Sequence, residues 1–183
     1  MSDTVAPPSD YRILVPRDWF RVDLTQERWR GQLKTFVDRE SGSGSAPEEV
    51  RRSLWTTLRN IAERGAADGA LEFYLKTETP EGTAYPASLM VSLLPTPPGL
   101  APEVGELAQT LARRRGDASR VEAVELPAGD AVRATTDTTL DFHVRMPGGV
   151  GYLLLAFSVP LSGTEGPMGD LCEAIAYSLR WVE

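Results

Sequence analysis

Two segments of this chain constrain its fold more than any others. Ala87–Leu94 and Tyr152–Val159 are apolar along nearly their whole length, while the other strand-like segments alternate. A strand with one wet face alternates apolar and polar residues. A run without alternation belongs in the middle of a sheet covered on both faces. Pro95-Thr-Pro-Pro-Gly99 stops the first run, and Pro160 stops the second.

The remaining segments supply the rest of the sheet and its cover. Arg12–Val15 is short and ends at Pro16. Phe20, Val22 and Leu24 alternate with Arg21 and Asp23. A helix is predicted over Thr25–Glu40, since Trp29, Leu33, Phe36 and Val37 share one face, and Asp23 with Gln26 suggests a capping box. Ser41–Ser45 reads as a connector. Ser45 and Glu48 then open a second helix, whose stripe is Val50, Leu54, Leu58 and Ile61 and which Gly65 and Gly69 end. Leu71, Phe73 and Leu75 mark a strand, and Pro80–Gly82 a turn. Val104, Leu107, Ala108 and Leu111 mark a third helix, closed by Arg113–Arg115 and Gly116. Val121–Leu126 and Asp130–Thr136 are strands. Leu140, Phe142, Val144 and Met146 alternate with Asp141, His143 and Arg145, and Pro147-Gly-Gly149 turns that strand into Tyr152–Val159. Met168, Leu171, Cys172, Ile175 and Leu179 form the stripe of a last helix, with Trp181 expected to pack beneath its end. The order β-β-α-α-β-β-α-β-β-β-β-α predicts an α+β fold with a mostly antiparallel sheet and helices on both faces. Residues 11–183 read as one such domain, and Met1–Asp10 as a flexible tail without the basic start and apolar run of a signal peptide.

Counting narrows the function. The chain has 183 residues, a single Cys (Cys172), a single His (His143) and a net charge of -7. One Cys and one His make neither a zinc site nor a disulfide framework, so no metal or other cofactor is implied. The negative charge disfavours nucleic acid and anionic membrane surfaces as partners. No apolar stretch is long enough for a membrane helix. The expected location is the cytoplasm. Arg greatly outnumbers Lys, which occurs only at Lys34 and Lys76, a composition typical of a GC-rich, actinobacterial genome.

Few residues suggest chemistry. Asp141, His143 and Arg145 share a strand face, where a carboxylate could orient a general base. The simpler reading is a solvated strand face. Cys172 reads as a small core residue. Arg113–Arg115 suit the negative end of a helix, or an anion clamp. Gly163–Gly169 precedes a helix but lacks the Lys-Ser/Thr ending of a phosphate loop. Glu122 with Glu125, and Asp137 with Asp141, do not define a glycosidase pair by spacing. Trp19, Trp55, Tyr74 and Met90 fall off the main apolar faces of their elements. Trp19 and Met90 are expected in the core, and Trp55 could form a partner-binding patch.

Two stretches resemble a known family. Pro16-Arg17-Asp18-Trp19 after a first strand is similar to the opening of the PsbP-like fold, that of the Mog-type Ran-binding protein and the photosystem PsbP subunit. Leu153–Pro160, followed by a helix closing in Ile175-Ala-Tyr-Ser178-Leu-Arg180, resembles that family's last strand and helix. The resemblance implies an α/β/α sandwich and a mostly non-enzymatic company, including actinobacterial LpqN-like lipoproteins and secretion-associated chaperones. It transfers no functional residue. The expected function is thus a non-catalytic protein-binding module: an adaptor, assembly factor or chaperone with a protein partner. The alternative is a small-molecule binder or hydrolase using the His143 strand face. A homodimer through a sheet edge or the Trp55 face is the third expectation.

Overall fold

The computed structural model describes residues 6–42, 47–76 and 87–183. It is an α+β fold. Its strands are β1 (Asp10–Arg12), β2 (Trp19–Asp23), β3 (Ala70–Lys76), β4 (Ser88–Pro95), β5 (Arg120–Leu126), β6 (Gly129–Thr135), β7 (Thr139–Arg145), β8 (Gly151–Ser158) and β9 (Arg180–Val182). Its helices are α1 (Trp29–Gly42), α2 (Glu48–Ala67), α3 (Val104–Arg115) and α4 (Pro167–Tyr177). Seven strands form one antiparallel sheet in the order β2-β3-β4-β8-β7-β6-β5, and β1 pairs with β9 in a second, small sheet.

The two unalternating segments become β4 and β8, neighbours at the centre of the sheet. Their odd-numbered residues face a core covered by α4. Leu89, Val91, Leu153, Leu155 and Phe157 are at most 1% exposed there, packed with Cys172, Ile175, Ala176 and Leu179. On the opposite face α1 and α2 cover β2 and β3, through Trp29, Leu33, Phe36, Val37, Leu58 and Ala62 against Val22, Phe73 and Leu75. On that face α3 lies against β5 and β6. Helices therefore lie on both faces, as the element order predicts.

The structure corrects several local readings. The first strand is Asp10–Arg12 rather than Arg12–Val15, and Ser9 N–H donates to Val182 O at 2.9 Å, so the last residues of the expected tail are tied to the far end of the chain. Residues 1–5 lie outside the described residues, as do Ser45 of the expected second capping box and the Pro80–Gly82 turn. α1 starts at Trp29 because the Asp23 carboxylate is taken up by a turn. It accepts from Thr25 N–H at 3.0 Å and from Gln26 Nε2 at 2.9 Å, which replaces the expected capping box.

α2 runs on past Gly65, and its buried residues are Leu58, Ala62 and Gly65, whereas Val50 and Ile61 are exposed. Its buried stripe is therefore rotated from the expected one. Gly65 does not end the helix. A Cβ there would run into Met90 Sδ, so the absent side chain lets β4 come close. Gly69, at φ 91, ends it. The strand β9 is absent from the sequence reading. Its Trp181 donates Nε1–H to Ala128 O at 2.7 Å.

Candidate functional site

The face of the sheet that carries the even-numbered residues of β4 and β8 also carries Asp141, His143 and Arg145 of β7. Met90 pairs with Ala156, Ala156 with Asp141, and Asp141 with Ala134; Ser92 pairs with Leu154, Leu154 with His143, and His143 with Val132. These two parallel rows run from beneath α2 to beneath α3.

Under α3 the rows are closed. Val132 and Ala134 are fully buried, Asp141 is 8% exposed and His143 5%. Asp141, His143 and Arg145 do share a face, as alternation predicts, but it is not the solvated face that the simpler reading expects. The reason is α3, whose half-buried Val104, Leu107, Ala108 and Leu111 lie on it.

Two ion pairs fix this helix at its ends. Arg145 makes a two-pronged contact with Glu103, Nη1 to Oε2 at 2.7 Å and Nη2 to Oε1 at 2.6 Å. Arg115, the last residue of α3, bonds Asp141. Tyr152 donates its hydroxyl to Pro102 O at 2.6 Å, just before the helix. The cations expected to serve the helix end thus include one, Arg115, that reaches down to the sheet.

Charge follows from this burial. Desolvation pushes the Asp141 carboxyl above its ordinary range, opposed by Arg115. Desolvation, and then the Arg115 charge, pull His143 down to about 4, so its ring is neutral at pH 7. His143 Nδ1 is buried without a hydrogen-bond partner among the described residues.

Beside this closed region the same face is open. Between α2 and the α3-covered strands runs a groove of about 550 Å³. Its floor is Met90, Ser92, Leu94, Leu154 and Ala156, and its wall is the flank of α2 carrying Thr57, Ile61 and Arg64, with Asp68 just past the helix end. Met90, Leu94, Leu154 and Ala156 are half-buried, while Leu89, Val91, Leu153, Leu155 and Phe157 on the other face are buried. Met90, expected in the core, is a groove-floor residue. Among the described residues, the expected cover of both faces of β4 and β8 is missing over this strip. The sequence signal for the groove is Met90, which falls off the main apolar face of its strand but is expected in the core, whereas Ile61, expected in the buried stripe of α2, is 44% exposed at the groove's wall.

The other sequence candidates lie elsewhere. Trp55 is half-buried between α1 and α2, lining a separate depression with Lys34, Val37 and Asp38, away from the β7 residues. Trp19 is 5% exposed, in the α4-side core, and Cys172 is fully buried, its thiol pushed up to about 12 by burial and Glu173. Within Gly163–Gly169 the first four residues form a bend in which Thr164 donates to Thr136 O and Asp137 O, and Pro167–Gly169 open α4. A buried cluster that the sequence did not suggest joins the small sheet to the large one: Glu72, 8% exposed, accepts from Tyr11 and from Arg21. A β-bulge between Ala70 and Glu72 accompanies it.

Among the described residues no group of three His, Cys, Asp or Glu side chains is placed to hold a metal ion, and no helix is long and apolar enough to cross a membrane. No family model, curated protein or solved structure matches this chain.

Proposed function

We propose that this chain is a non-catalytic binding domain that seats a protein partner in the groove over β4 and β8. The observation that carries the reading is the asymmetry of the two central strands. Leu153 and Leu155 are at most 1% exposed, yet Leu154 and Ala156 between and beyond them are half open. Apolar side chains at the centre of a sheet are normally covered, and a contiguous open strip with a polar rim is the usual mark of an interaction surface.

The β7 residues support the same reading. Asp141 and Arg145 are engaged in holding α3, which leaves His143 without a free carboxylate beside it to orient a general base. The resemblance to the PsbP-like family points the same way, since its members mostly act by binding. A cytoplasmic adaptor, assembly factor or chaperone is the form we favour.

The test is affinity capture from the native host with wild-type and Ala156→Arg baits at equal expression. A stoichiometric protein retained by the wild type and lost by the variant is the expected result. A partner held equally by both, or no stoichiometric partner for either, overturns the proposal.

One observation favours the small-molecule alternative: the unpartnered Nδ1 of His143. Under that reading His143→Ala abolishes function. Under the protein-binding reading it leaves partner capture unchanged.

A further inference from the structure

The helix layer on the groove face has a gap of definite size. Strands lie ~4.8 Å apart, so the strip of β4 and β8 is ~10 Å wide, about the diameter of one α-helix. Along β4 the floor runs from Met90 to Leu94, ~13 Å, or about nine helical residues. α2 stands on one side of the strip and α3 beyond the other. Among the described residues the layer therefore reads as α1, α2, an empty helix-wide place, and α3.

The wall adds charge. Arg64, in the last turn of α2, and Asp68, just past its end, are exposed, line the groove and lie four residues apart. Neither side chain forms an ion pair among the described residues, with each other or elsewhere. A neighbouring helix that carried an acid and a base one turn apart would meet both. The floor between them and α3 asks for an apolar stripe.

From the width, the apolar floor and this charge pair, and resting on the protein-binding reading above, we infer that the partner supplies an amphipathic α-helix that fills the empty place. Its apolar residues recur at i, i+3, i+4 and i+7 against Met90, Leu94, Leu154 and Ala156. Its rim presents an acidic side chain to Arg64 and a basic one to Asp68. This is helix-in-groove recognition, in which the guest completes a layer of the host.

The experiment uses the full chain, immobilised, and a phage-displayed library of random 20-residue peptides, with counter-selection against Ile61→Asp. Ile61 is exposed, so this variant keeps the fold, which circular dichroism checks. The expected outcome is enrichment of sequences with helical apolar periodicity. Their synthetic peptides gain helicity on binding, shift the methyl resonances of Met90, Leu154 and Ala156, and lose about tenfold or more in affinity against Ile61→Asp. Arg64→Glu should reverse the preference for an acidic residue at the matching peptide position. Enrichment of alternating or proline-rich extended peptides overturns the helix inference. So does enrichment of helices that leave those methyls unshifted, or failure of the library to enrich at all. These failures are distinct from failure of the binding reading, which is decided by whether the captured native partner is lost with Ala156→Arg.

Discussion

Arg115 and Asp141 show how one side chain can decide the state of its partner. The pair is partly buried, so removing one member strands the other. Arg115→Ala should cost about 2–4 kcal/mol in urea unfolding, because the Asp141 charge is left without its cation. Adding Asp141→Asn to that variant should recover part of the loss, which a simple loss of packing at Arg115 would not do. His143 gives a pH signature with a fixed sign. Its folded pKa is about 4, below the ordinary 6.5, because burial and Arg115 disfavour the charged ring. Between pH 6.5 and 4 the unfolded chain therefore takes up a proton that the folded chain refuses. Stability is full above pH 6.5 and falls as the pH drops through that window, by up to ~3 kcal/mol. Asp141, raised by burial, works in the opposite direction near the carboxylate range, so the steepest loss lies toward the upper part of the window. Thermal unfolding at pH 7 and pH 5 should show a drop in Tm for the wild type and a smaller one for His143→Gln.

Among the elements, α2 shows most clearly what a sequence can hide. The stripe of α1 was legible because Trp29, Leu33, Phe36 and Val37 are all large and all buried. In α2 the buried positions are Leu58, Ala62 and Gly65, two of them small, while the large Ile61 faces the groove. Apolar periodicity assumes that large residues mark the core, and here close packing against Met90 selects small ones instead. The same limit hid the site: alternation put Asp141, His143 and Arg145 on one face, but their burial depends on α3 and on Arg115, far away in sequence. β9 was illegible because three residues are too few to show a period. Gly65 yields a prediction at this scale. Gly→Ala in a helix ordinarily stabilises by about 1 kcal/mol. Here the new Cβ would displace the Met90 thioether, a flexible side-chain end with the open groove beside it. Gly65→Ala should then change stability by less than about 1 kcal/mol, measured by denaturation. It should also weaken binding in the groove, because Met90 now occupies part of it.

Across the molecule the sheet is assembled from two pieces of chain. β5, β6, β7 and β8 follow one another as hairpins, and so do β2, β3 and β4 apart from the two helices between β2 and β3. Only β4 with β8 joins the pieces within this sheet, and their paired residues, from Ser88 with Ser158 to Pro95 with Gly151, are far apart in sequence. Neighbouring hairpins close quickly, whereas a contact across so long a loop forms late. The groove lies directly over this seam, with Met90 and Leu94 on one piece and Leu154 and Ala156 on the other. A guest seated there would act as a clasp in time as well as in space. It would stitch together the last joint to close, and hydrogen exchange along β4 and β8 should slow more on its binding than exchange along β5 and β6.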